Sequence, residues 1–231
     1  LQTTGGLVRY LLAVPGAAFA NLANWTLQLS SPFAATAGKA NTRNFNLSVS
    51  TSSVNASEVI SVSVFQDTAL LGTFSESDSS FGGSWSQAVS VPADGSYTFT
   101  AVASNNNGDP TKTVETTVNV DTSSPSAPTY LGKTRAGNNY EVRFTAPTTG
   151  DVVEVRLFSA TTTSFTANSS NQVGSVAVAP GQTTSFTYNA PDAGTRYFAV
   201  QAFDAHGNGS TLSGDSVVVP GSAASTTSSS N

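Results

Sequence analysis

Apolar side chains fall on alternate positions along most of this chain, the period of a strand and not of a helix. Trp25, Leu27 and Leu29 alternate with polar residues, as do Phe45, Leu47 and Val49, then Val62 and Val64. The rhythm continues through Val89 and Val91, then Tyr97, Phe99 and Ala101, then Val114, Val118 and Val120. It resumes at Tyr140, Val142 and Phe144, followed by Val153, Val155 and Leu157, and by Val176 and Val178. Phe186 and Tyr188, then Phe198, Val200 and Ala202, and finally Val217 and Val219 complete it. Gly, Pro, Asn, Asp or Ser bounds each run, so the pattern reads as short half-buried strands joined by turns. No amphipathic helix longer than two turns is found. The pattern predicts an all-β chain folded as two β-sandwiches in tandem, about seven strands in each.

Breaks in the pattern set the expected boundaries. Residues 122–128 are a Pro/Ser linker: each proline fixes its own φ and disfavours helix in the residue before it, so this stretch should be extended and stiff. Domain 1 then spans 23–121 and domain 2 spans 129–220, flanked by an N-terminal arm at 1–22 and a Ser/Thr-rich tail at 221–231. The tail is almost wholly Ser, Thr, Ala and Gly, a composition that cannot bury enough apolar surface to order itself.

Composition narrows the chemistry. Cysteine is absent and there is one histidine, which excludes a disulfide framework, a thiol nucleophile and multi-histidine or cysteine-rich metal sites. Charged residues are 10% of the chain and 66 of its 231 residues are Ser or Thr. The net charge of −5 argues against nucleic acid, whose binding rests on neutralising phosphates. No apolar run is long enough to span a membrane; the best, Leu7 to Ala20, is broken by Arg9, Pro15 and Gly16. The chain starts at Leu1 and lacks methionine, so it is expected to be a processed or partial form, with a secretory signal as the missing piece.

Two stretches carry a family resemblance. Asp94-Gly95-Ser96-Tyr97-Thr98-Phe99 followed by Asn107-Gly108, with the exit Val118-Asn119-Val120-Asp121, resembles bacterial immunoglobulin-like domains. Ser126-Ala127-Pro128 through Tyr197 to Asp204–Asn208 resembles a fibronectin type III domain. The second half departs from that family at Phe144, where a core tryptophan is usual. Each tyrosine stands where a tyrosine corner would form, its ring inside and its hydroxyl returning to a loop backbone. The resemblance implies tandem immunoglobulin-like sandwiches of an exported surface protein.

Candidate chemistry is sparse. His206 lies in a turn beside Asp204, with no second histidine or clustered carboxylate in the sequence around it, and reads as a polar turn residue. The acids are scattered, so no catalytic residue, metal ligand or cofactor is expected. Asn24, Asn46, Asn55, Asn168 and Asn208 match the N-glycosylation pattern, about as often as an Asn/Ser/Thr-rich chain produces by chance. Lys39, Lys112 and Lys133 are present, but an intramolecular Lys–Asn crosslink turns on neighbours that the sequence does not give.

The arm is the most informative segment. Leu7, Leu11 and Ala13 share one face with Arg9, while Val8, Tyr10, Leu12 and Val14 share the other. A strand apolar on both faces needs cover on both. It either folds back in cis or leaves its domain to complete a sheet of a neighbouring copy. In the second case Leu7, Val8, Tyr10, Leu11, Leu12 and Val14 form the interface, and their burial is worth roughly 10 kcal/mol gross. The reading that follows is a structural, non-enzymatic subunit of an extracellular pilus-like filament, with copies of itself as partners and glycans as an added covering. Its rivals are an adhesin or carbohydrate-binding module of a secreted multidomain protein, and a phage or virion surface protein.

Overall fold

A computed structural model describes residues 25–52, 60–75, 83–105 and 111–215. The arm residues Leu7, Val8, Tyr10, Leu11, Leu12 and Val14, together with Asn24, Asn55, Val217 and Val219, lie outside the described residues. The chain divides into two compact units, 1–121 and 122–231, and the described elements of both are almost entirely strands.

The first unit holds β1 (Thr26–Ser30), a 3₁₀ turn (Ala34–Thr36), β2 (Lys39–Ala40), β3 (Asn44–Ser52) and β4 (Ile60–Gln66). These are followed by β5 (Ala69–Ser75), β6 (Ser84–Ser90), β7 (Gly95–Asn105) and β8 (Lys112–Val120). They form a three-stranded sheet ordered β1-β3-β6 and a five-stranded sheet ordered β2-β8-β7-β4-β5. The predicted alternation is the packing: along β3, Phe45, Leu47, Val49 and Thr51 are buried while their neighbours face outward. Leu47, Val49, Val62, Val64 and Phe99 meet between the sheets, with Phe45 edge-on to Phe99 at 5.8 Å.

The second unit contains β9 (Thr129–Ala136), β10 (Asn139–Thr145), β11 (Val152–Ala160), β12 (Gln172–Ala177), β13 (Thr183–Asn189), β14 (Tyr197–Asp204) and β15 (Ser213–Gly214). Its sheets run β13-β10-β9 and β12-β11-β14-β15. Phe144 is fully buried and stacks on Phe186 at 5.2 Å, filling the position where the resemblance led one to look for tryptophan. Residues 122–128 have no regular structure, but Pro125 and Pro128 are buried, and a Cβ on Gly150 would lie 3.4 Å from Pro125 Cα. This stretch therefore packs with the second unit.

The structure corrects the alternation at β-bulges. Val153 does not share the inward face of Val155 and Leu157: Val152 pairs with Asp204 and Glu154 with Phe203, so Val153 is an extra residue, 43% exposed. The same two-against-one count sets apart Leu131 on β9, Val173 on β12 and Leu71 on β5. Leu70, Leu131, Val153 and Val173 are the exposed large apolar residues among those described, and each is at or beside such a bulge. An inserted residue shifts the two-residue phase by one and sends an apolar side chain to the solvent face. Strands β5 and β9 escaped the periodicity for this reason, and β2 because it is only two residues long.

Candidate functional site

Among the described strands eight lie at sheet edges: β1, β6, β2 and β5 in the first unit, and β13, β9, β12 and β15 in the second. Edges expose unpaired backbone donors and acceptors, and proteins usually blunt them with charge or proline. Among these eight, charged residues occur only at Lys39 on β2 and at Lys133 and Arg135 on β9, and there is no proline. In the first unit β5 and β6 adjoin through Phe74 and Trp85, whose rings stack at 5.6 Å. Strand β5 is seven residues long, uncharged, and carries Leu70 at 59% exposure.

In the second unit a polar hub surrounds Asp215. Its Oδ2 accepts from Lys133 Nζ at 2.5 Å and from the Phe198 amide at 3.1 Å, and its Oδ1 accepts from Tyr130 Oη at 2.9 Å. Lys133 Nζ also donates to the Arg196 carbonyl at 2.6 Å and lies 5.1 Å and 5.5 Å from the ring centres of Tyr197 and Phe198. Gly214 brings the hub close: a Cβ there would stand 2.2 Å from the Phe198 carbonyl oxygen, so a larger residue would push β15 away from β14. The hub joins β9, in one sheet, to the end of β15, in the other. Sequence reading took Asp215 as one of the scattered acids and had no ground to join it to Lys133, 82 residues away.

Burial, followed by the hydrogen bond to Asp215 and its charge, pushes the Tyr130 phenol far above its usual range. The folded chain therefore keeps a proton that the unfolded chain loses above about pH 10, and stability falls as pH rises past that value. Urea midpoints followed by far-UV circular dichroism should decline as pH rises past about 10, and Tyr130→Phe should flatten the decline. An equal slope in the variant would remove Tyr130 as the cause.

Around His206 the structure corrects the expected isolation. The carboxylates of Asp151 and Asp204 and the His206 imidazole place ligand atoms within 4.8 Å of one another. Pairing of Val152 with Asp204 brings Asp151 beside the turn across 53 residues, which local sequence could not reveal. Such a group has the donors for a divalent cation. Asp204 is 4% exposed and its oxygens already organise the turn, accepting from the amides of His206 and Asn208, both at 2.8 Å, and from Asn208 Nδ2 at 2.7 Å.

Of the residues that match the glycan pattern, Asn208 is buried and its side-chain amide donates to Asp204. Asn46 points outward on β3, and Asn168 is exposed in a turn where its Oδ1 accepts from Ser170 Oγ at 2.5 Å. The tyrosine corner forms at Tyr97, whose hydroxyl donates to the Ala93 carbonyl at 2.8 Å. In the second unit Tyr140 returns to the loop, donating to Gly194 at 3.1 Å, while Tyr197 lies under the Lys133 amine. Trp25 is buried and Trp85 half-buried.

No family model and no curated protein matches this sequence. The fibronectin(III)-like modules of Clostridium thermocellum CbhA superpose with a TM-score of 0.56 at 17% identity, over 84% of this chain and 94% of that one. The fold is fibronectin(III)-like. The FN1–FN3 domains of chicken CNTN1 are also similar, with a TM-score of 0.45 at 14% identity, over 83% of this chain and 65% of that one. A fibronectin(III)-like scaffold puts no reaction on the page, because function resides in sites carried by a fold and not in the fold. Among the described residues no helix is long and apolar enough to cross a membrane.

Proposed function

We propose that this chain is a non-enzymatic structural subunit of an extracellular pilus-like filament, in which the N-terminal strand of one copy adds to a sheet edge of the next. The observation that carries the reading is the near absence of charge and proline from the edges of the described sheets. Strand addition needs an open ladder of backbone groups and pockets for alternate side chains, and charged edges would repel it. The apolar arm, with Leu7, Val8, Tyr10, Leu11, Leu12 and Val14, supplies the strand, and β5 beside Leu70 is the acceptor we favour. Such a contact joins two different surfaces, so it propagates into a fibre instead of closing into a ring.

The rival reading, a binding module of a secreted protein, needs an exposed aromatic row. Trp25 is buried, Trp85 stacks on Phe74 and the Tyr130 hydroxyl is engaged by Asp215, while Phe81 lies outside the described residues. Negative-stain electron microscopy tests the proposal: the whole chain should form thin fibres, and a chain lacking residues 1–20 should remain dispersed. Leu70→Lys should leave the fold intact and also abolish fibres. Equal assembly without residues 1–20 rejects the arm, whereas fibres from Leu70→Lys alone reject only the acceptor.

A further inference from the structure

We propose that Lys133 and Asp215 are the two halves of an intramolecular amide crosslink that ties β9 to the residue after β15. The inference goes beyond the filament reading and stands without it. The two side chains are 25% and 19% exposed, and their N···O separation of 2.5 Å is shorter than the ordinary 2.7–2.9 Å of an ammonium–carboxylate pair. An ion pair would need no more than these two groups. The hub supplies in addition what condensation needs. Tyr130 Oη donates to Oδ1, the oxygen that must leave, at 2.9 Å, and the Phe198 amide donates to Oδ2, the oxygen that must carry the developing charge, at 3.1 Å. The rings of Tyr197 and Phe198 cover the amine.

The step balances without a co-reactant. An ammonium and a carboxylate give an amide and one water. The Lys133 amine, having released a proton, attacks Asp215 Cγ, the C–N bond forms, and the C–Oδ1 bond breaks. Tyr130 passes its proton to Oδ1 and is reprotonated by the first proton that the ammonium releases, the nitrogen of the adduct gives Oδ1 a second proton, and Oδ1 leaves as water. In bulk water hydrolysis opposes this reaction. Two groups fixed in contact react with effective molarities of about 10⁵–10⁸ M, which outweighs water when a site also limits its access. The partner is an aspartate and not an asparagine, so the leaving group is water and not ammonia.

The consequence is mechanical. Lys133 lies on β9 and Asp215 just after β15, so tension entering at one end of the unit would pass through a covalent bond instead of peeling strands apart.

Intact-mass measurement of the full chain, followed by trypsin, tests this. The chain should weigh one water less than its sequence, trypsin should fail to cut after Lys133, and a branched peptide should join residues 113–135 to residues 197–231. Lys133→Arg should have its full sequence mass, and Tyr130→Phe should accumulate uncrosslinked chain. Full mass with normal cleavage after Lys133 would overturn the proposal. So would a water loss with only linear peptides, as dehydration at Asp94-Gly95 would give.

Discussion

Trp25→Ala is expected to lower the stability of the first unit by about 3–5 kcal/mol, the usual cost of emptying a large aromatic site in a core. Trp25 is 1% exposed and packs with Leu27, Leu47 and the other residues between the sheets of that unit. Its ring lies 4.6 Å from the Lys112 amine, which also donates to the Trp25 carbonyl, so the substitution removes a cation–π contact as well as volume. Both tryptophans of the chain belong to the first unit. Urea unfolding followed through the fluorescence of Trp85 therefore reports that unit by itself. A midpoint within about 1 kcal/mol of the parent would show that Trp25 is not a core residue.

Asp204→Ala should have a comparable effect in the second unit, about 3 kcal/mol or more, because three donors lose one buried anionic acceptor. The two amide donors both use Oδ1, while Asn208 Nδ2 uses Oδ2. Asp204→Asn can keep the first two bonds, but its own amide would then face the Asn208 amide, donor against donor. It should fall between the parent and the alanine variant. The readout is the far-UV transition, with tryptophan fluorescence as an internal control. A fluorescence midpoint that moved with Asp204→Ala would contradict the assignment of the effect to the second unit.

Much of the fold was legible in alternation alone, since a two-residue period maps directly onto the inner and outer faces of a sheet. Phe45, Leu47 and Val49 were read as one inward face and are buried together. Val153 was misread because a bulge is a property of strand pairing: only the opposing strand reveals that one of its residues faces two. Tyr97 met its expected loop partner four residues back, whereas the matching role in the second unit passed to Tyr140, on a different strand. The burial of Asn208 was not legible in its sequence motif, because it depends on Asp204 and the turn around it.

The sequence by itself determined the fold class and the poverty of charge, since these follow from composition and from short-range period. The tertiary structure decided which strands are edges, where apolar residues escape to solvent, and which acids meet which bases. Asp215 reaches Lys133 across 82 residues, and Asp151 reaches Asp204 through one register pair. Contacts of that kind are set by strand order and pairing, and no local period encodes them.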